Sequence, residues 1–289
     1  MTTDSDSRRP RLLNIALPTL AVTGGLGVVL GFLRGRFQRS RVFLPDQYPD
    51  GVWNPHAFGL SAEDTWFRSQ DGVDLHGWWI PHADARGTLL YCHGNTGSIA
   101  NRIGVFRHLR RLRVNLLAFD YRGYGRSGGT PSETGLFQDV RAAFDHLLGE
   151  LAQPETSVIL FGHSLGGAVA IDCALDRQPA GLVVQSSFTH IRDAAKAMFP
   201  TLPLHLAATR QFRSIDKVSR LEIPKLFIHG DSDETVPVEL GKKLFAAASE
   251  PKELYIVRHG GHNDIHRHGG ARYLRRLSRF RNRCLKLAR

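Results

Sequence analysis

With 289 residues, the chain is long enough for one domain with a substantial core and appended ends. A formal charge of +11 and a pI near 10.1 raise nucleic acid as a partner, but residues 34–41 and 267–289 hold four and nine basic residues without an acid, and the rest sums to −2. A nucleic-acid enzyme would carry basic residues through its working surface, so no nucleic-acid partner is expected.

The first element in chain order is Leu12 to Leu33, 22 residues without a charge. As a helix it would span about 33 Å at ~1.5 Å per residue, against a bilayer core of roughly 30 Å. Arg8, Arg9 and Arg11 precede it, and Arg34, Arg36, Arg39 and Arg41 follow it. Its exit, Gly31-Phe32-Leu33-Arg34, has no small-x-small cleavage site, so it reads as an uncleaved single-pass anchor across 12–33 that makes membrane lipid a partner. Asn14, Pro18 and several glycines leave an amphipathic or disordered leader as the alternative. The excess of arginines after the segment leans the following domain toward the cytoplasmic face. The chain divides into this leader, 1–41, and a catalytic domain, 42–289.

Asp64 to Gln70 and Val73 to Ile80 alternate on either side of Asp71-Gly72, which predicts a hairpin. Apolar runs then alternate with helical patterns such as Thr134 to Leu151, which predicts βαβ units and a mostly parallel sheet, an α/β fold. One run, Thr88 to Cys92, leads directly into His93-Gly94-Asn95-Thr96-Gly97-Ser98. Another leads into the loop Phe119 to Gly129, predicted to frame a pocket mouth. The G-x-G spacing in that loop lacks a helix followed by an acidic ribose partner, so it carries no dinucleotide signal.

The most informative segment is Gly162-His163-Ser164-Leu165-Gly166, between the apolar run Ser157 to Phe161 and the small-residue helical stretch from Gly166 to Ala170. This is a G-x-S-x-G nucleophile elbow in its strand-turn-helix setting. The flanking glycines are predicted to be steric necessities, since a side chain there would strike the neighbouring strand or helix. About 39 residues then separate the run Gly181 to Gln185 from the next at Lys225. This stretch, a short lid at about 186–224, holds the apolar groups 194–199 and 202–206 that would suit an acyl chain or simply pack over the sheet edge.

The run from Lys225 ends in His229-Gly230-Asp231-Ser232-Asp233-Glu234-Thr235-Val236-Pro237, and the run Glu253 to Val257 ends in Arg258-His259-Gly260-Gly261-His262. The order Ser, acid, His is that of a hydrolase triad, with each member just past a strand's carboxyl end. Ser164 is the nucleophile, His262 the general base, and Asp233 the group that orients the imidazole, with Asp231 and Glu234 as competitors for that place. His259 competes with His262 but falls at the strand end, while Gly260-Gly261 can deliver His262 into the cleft. His229 and His93 read as structural or supporting residues, and His163 fills the variable elbow position. The oxyanion donors are expected to be the backbone N–H groups of Leu165 and Asn95, with Thr96 next after Asn95.

The last helix places Tyr273, Leu274, Leu277, Phe280, Cys284 and Leu287 on one stripe, either packed on the sheet or docked on anionic lipid. Cys92, Cys173 and Cys284 form neither a disulfide framework nor a zinc pattern and favour a reducing compartment. No His-Glu-x-x-His or P-loop is present, so neither metal nor cofactor is expected.

His93-Gly94-Asn95, the Asp120 to Ser127 loop, the elbow, His229-Gly230-x-x-Asp233-x-x-Val236-Pro237 and Gly261-His262 together resemble an α/β-hydrolase-fold serine hydrolase. With the amino-terminal apolar segment, the chain is similar to the membrane-anchored branch, whose members act on monoacylglycerols, lysophospholipids or acylated proteins. The resemblance implies hydrolysis of a carboxylic ester or thioester. A serine peptidase, or a catalytically silent receptor or scaffold on the same fold, are the alternatives.

Overall fold

The computed structural model describes residues 43–198 and 211–287. The apolar segment 12–33, the leader 1–41 and the apolar group 202–206 lie outside the described residues. Among those described, no helix is long and apolar enough to cross a membrane.

In chain order the elements are β1 (Leu44–Pro45), β2 (Glu63–Arg68), β3 (Asp74–Ile80), β4 (Thr88–Cys92), β5 (Thr96–Gly97), α1 (Ile103–Arg110), β6 (Asn115–Phe119), α2 (Glu133–Leu148), β7 (Val158–His163), α3 (Leu165–Asp176), β8 (Gly181–Gln185), α4 (Ile191–Met198), α5 (Ser214–Val218), β9 (Lys225–Gly230), α6 (Val238–Ala247), β10 (Lys252–Val257) and α7 (Ile265–Leu287). Among the described residues the main sheet has eight strands in the order β10-β9-β8-β7-β4-β6-β3-β2. Neighbours are parallel from β10 to β6, and the predicted hairpin β2-β3 closes the edge in antiparallel register.

The central strands are buried along their whole length, as parallel strands covered on both faces must be. Alternation along β4, β6 and β7 sends Leu90, Leu117 and Leu160 into one core with α2 and α3, and Leu89, Leu116 and Ile159 into a second with α1 and α7. The crossover after β4 thus runs on one face and the crossover after β6 on the other. The chain reverses direction around β4, and a crevice opens at the carboxyl ends of β4 and β7.

One expectation concerning a helix resolves here. Tyr273, Leu277, Phe280 and Cys284 of α7 are buried against the second core, so the apolar stripe packs on the sheet, while Leu287 at its end is exposed. In the lid stretch, Ala194 of α4 is buried, and Phe212 is buried against Phe43 and Phe137 at ring-centroid distances of 6.2 and 5.7 Å.

Candidate active site

β7 delivers Ser164 and α3 carries the chain away. The turn between them holds Ser164 at φ 55° and ψ −119°, a region non-glycine residues avoid. Its backbone is locked from three sides: Ser164 N–H donates to Gln185 O at 2.9 Å, and Ser164 O accepts from Gly167 N–H at 2.9 Å and from Ser187 Oγ at 2.8 Å. A Cβ on Gly166 would lie 2.0 Å from Cys92 O, and one on Gly162 would lie 2.3 Å from Gly166 O. The predicted steric role of both glycines is therefore observed directly.

The structure brings Ser164, His262 and Asp233 together from β7, the loop after β10 and the loop after β9. His262 Nε2 lies 3.0 Å from Ser164 Oγ, and His262 Nδ1 lies 2.8 Å from Asp233 Oδ2. Asp233 Oδ1 accepts from Thr235 N–H at 3.0 Å and Val236 N–H at 2.8 Å. Burial alone would raise the Asp233 carboxyl, but hydrogen bonds from His229 and His262, the charge of His262 and the Val236 N–H outweigh it and hold it below the usual carboxylate range. An ionised Asp233 accepts only, so Nδ1 of His262 carries the proton and Nε2 is left to accept the Ser164 hydroxyl.

The competitors sit elsewhere. Asp231 is exposed and accepts from His259 N–H at 2.6 Å, tying the ends of β9 and β10 together. Glu234 and His259 are exposed. His229 is buried beneath the acid, donating from Nε2 to Val236 O at 2.8 Å with Asp233 Oδ2 at 3.3 Å. Gly241 of α6 makes room for it, since a Cβ there would lie 2.2 Å from His229 Nδ1. His163 reaches across from the elbow and donates from Nε2 to His262 O at 3.0 Å. Leu165 opens α3, so its N–H has no intrahelical acceptor and lies at the positive end of the helix.

The loop carrying Asn95 is held by His93, read from the sequence as a supporting residue, and by two tyrosines the sequence did not reveal. His93 donates from Nδ1 to Gly94 O at 2.7 Å, which fixes the peptide unit to which Asn95 N–H belongs. Tyr121 and Tyr124, both fully buried, donate to His93 O at 3.1 Å and Asn95 O at 3.0 Å, and Leu44 N–H donates to Asn95 O at 2.9 Å. The Phe119 to Gly129 loop thus pins the His93 loop from below. Arg122 in turn anchors it by pairing with Asp139 at 2.8 Å and Asp71 at 2.6 Å.

Behind His93 lies Asp120, its Oδ1 3.5 Å from Nε2 and both side chains fully buried. Burial pushes Asp120 up to about 8 against the opposing pull of Ile99 N–H and Arg102, while burial, aided by Arg102, pushes His93 down to about 3. Both shifts favour an uncharged pair with the proton on Asp120. A carboxyl raised in this way favours folding below its unfolded value of 3.8, and that contribution is lost as pH rises toward about 8. Asp120→Asn keeps an acceptor for Ile99 N–H but cannot ionise. Its thermal stability relative to wild type is therefore expected to rise as pH is raised from about 4 to about 8. Parallel melting curves across that range would contradict a neutral pair.

The fold and this constellation define a hydrolase of the α/β type, and comparisons with known proteins agree. The family described as serine aminopeptidase, S33, matches residues 83–215. The protein Rv2307c of Mycobacterium tuberculosis is 36% identical over 269 residues, covering 92% of this chain and 94% of that protein. The α/β-hydrolase domain-containing protein WAV2 of Arabidopsis thaliana is 33% identical over 277 residues, covering 86% and 89%. An esterase of Pyrococcus furiosus superposes with a TM-score of 0.73 at 22% identity, over 84% of this chain and 98% of that one. The chain belongs to the α/β-hydrolase family.

Proposed function

We propose that the protein is a serine hydrolase that cleaves carboxylic esters or thioesters of lipid-like acyl groups through an acyl-enzyme on Ser164. The observation that carries this reading is the unbroken series Asp233 to His262 to Ser164, with contacts of 2.8 and 3.0 Å. In the first half-reaction Ser164 Oγ attacks the acyl carbonyl carbon while its proton passes to His262 Nε2. The C–O or C–S bond then breaks, and the leaving alkoxide or thiolate takes that proton. In the second half-reaction a water attacks the acyl-enzyme in the same way and restores Ser164. The negative oxygen formed in each half is received by the N–H groups of Leu165 and Asn95, each worth roughly 3 kcal/mol of barrier.

Hydrolysis of p-nitrophenyl esters of graded acyl length tests the substrate class. Turnover that rises with chain length supports a lipid-like acyl substrate, and activity confined to acetate would oppose it. The family described as serine aminopeptidase favours one second reading, cleavage of an amino-terminal peptide bond by the same triad. Amino-acid p-nitroanilides turned over faster than any ester would select it.

Residues 12–33 are proposed as a single-pass anchor, with the domain on the cytoplasmic face and 186–224 as a lid over the acyl group. Support comes from the uncharged length of the segment and its flanking arginines. β1, which follows the leader, pairs with β5 directly after Asn95, so an anchored chain would hold the mouth of the site near the lipid surface. Deleting residues 1–41 leaves β1 intact and is expected to move the enzyme from the membrane pellet to the supernatant with its activity on soluble esters retained. Continued pelleting would refute the anchor.

A further inference from the structure

The first turn of α1 departs from the usual rules for a helix start. Its N-cap position is Arg102, no side chain caps it and its first turn holds no acid, although that end of a helix favours short polar caps and negative charge. Arg102 donates from Nη2 to Thr96 O at 2.6 Å, but its buried Nε has no partner. Among the described residues no carboxylate forms an ion pair with it, and a buried nitrogen such as its Nε ordinarily has a hydrogen-bond partner.

This turn walls a cavity of about 320 Å³ that is also lined by Arg267, His163, Gln185 and Asn263. Gln185 Oε1 is occupied by the Tyr273 hydroxyl at 2.8 Å, which leaves the amide hydrogens as its free donors. His163 is only 4% exposed; with its Nε2–H given to His262 O, its buried, unpartnered Nδ1 is an acceptor, suited to the hydroxyl of a singly protonated phosphate. Gly104 and Val105, in the first turn of α1, line the cavity, and their N–H groups have no intrahelical acceptor. The carboxylate on the wall, Asp264, is engaged by Gly261 N–H at 2.7 Å and His268 Nδ1 at 3.3 Å.

We propose that this cavity binds a small oxyanion, a phosphate or carboxylate, through the Arg102 guanidinium, the Gln185 amide and the open N–H groups of α1. The anion supplies the charge and the cap that the first turn of α1 lacks. The site borders the triad, because His163 spans from the cavity to the His262 carbonyl and Asn263 directly follows His262. Its occupant is either a free anion or the anionic headgroup of an ester whose acyl carbon reaches Ser164.

Calorimetric titration with inorganic phosphate, at ionic strength held constant with chloride, tests the site on wild type, Ser164→Ala, Arg102→Gln and Arg267→Gln. Saturable binding is expected in wild type and in Ser164→Ala, so the result does not depend on the catalytic assignment. Binding should weaken at least about tenfold in Arg102→Gln, the size expected for a lost charged hydrogen bond. Should Arg102→Gln fail to fold, Arg267→Gln is expected to weaken binding in the same direction. A rise in KM for lysophosphatidic acid but not for a monoacylglycerol in these variants assigns the site to a substrate headgroup; phosphate binding without that difference assigns it to a free anion. No saturable binding in wild type, or equal affinity in wild type and both arginine variants, would overturn the proposal.

Discussion

Ser164→Ala is expected to lower kcat for ester hydrolysis by on the order of 10⁵ to 10⁶, with KM little changed. The effect is this large because the triad acts as a unit: without Oγ there is no acyl-enzyme, and His262 has no hydroxyl to deprotonate. What remains is the rate with which water reacts in a site that has lost its nucleophile but keeps its other groups. The variant should fold, because the elbow is held by backbone bonds to Gln185, Gly167 and Ser187 rather than by the serine hydroxyl. Alanine meets the same positive-φ cost as serine at this position, so the melting temperature should shift little. A tenfold loss or less, measured by steady-state kinetics on a preparation with wild-type circular dichroism, would show that another group carries the chemistry.

Asp233→Asn is expected to cost on the order of 10⁴ in kcat, through the tautomer of His262. The Thr235 and Val236 N–H groups claim Oδ1, so the amide oxygen of the variant settles there and its Nδ2 faces His262 Nδ1. The imidazole then carries its proton on Nε2, directed at Ser164, and cannot accept the hydroxyl proton. His229 Nε2–H also meets a donor instead of an acceptor, which lowers stability by about 1–3 kcal/mol. Asp231→Ala, by contrast, breaks only the bonds from His259 N–H and Ser232 Oγ and should keep activity near wild type. A pH–rate profile for the three proteins separates these outcomes. Equal losses in Asp231→Ala and Asp233→Asn would remove Asp233 from its proposed place.

The elbow was legible because the local sequence states the whole constraint: a strand, two glycines that cannot bear a side chain, and a helix of small residues. The strands were legible for a related reason, since burial on both faces leaves runs such as Leu89 to Tyr91 and Val158 to Phe161 apolar throughout. Boundaries were less so. The helix expected to end at Leu151 stops at Leu148, where Gly149 closes it, and it begins at Glu133 because Ser132 Oγ accepts Gly135 N–H at 3.1 Å.

Beyond His93 and His229, the supporting layer of the site could not be read in sequence, because its bonds join residues far apart in the chain. His163 meets the His262 carbonyl across 99 positions, and Tyr124 meets Asn95 across 29. The aromatic and acidic residues between Asp120 and Ser127 gave a signal as a motif, but their work is to hold a neighbouring loop rather than to touch a substrate. Choosing Asp233 over Asp231 turned on which carboxylate faces inward, a matter of turn geometry between Gly230 and Val236 rather than of residue type.

The central claim is tested most directly by labelling the full-length protein with a fluorophosphonate and locating the adduct by mass spectrometry, with Ser164→Ala and His262→Ala beside the wild type. The account predicts one adduct on the peptide containing Ser164, absent from Ser164→Ala and formed far more slowly in His262→Ala. A folded wild-type protein that takes no adduct, or an adduct that persists unchanged in Ser164→Ala, would contradict it.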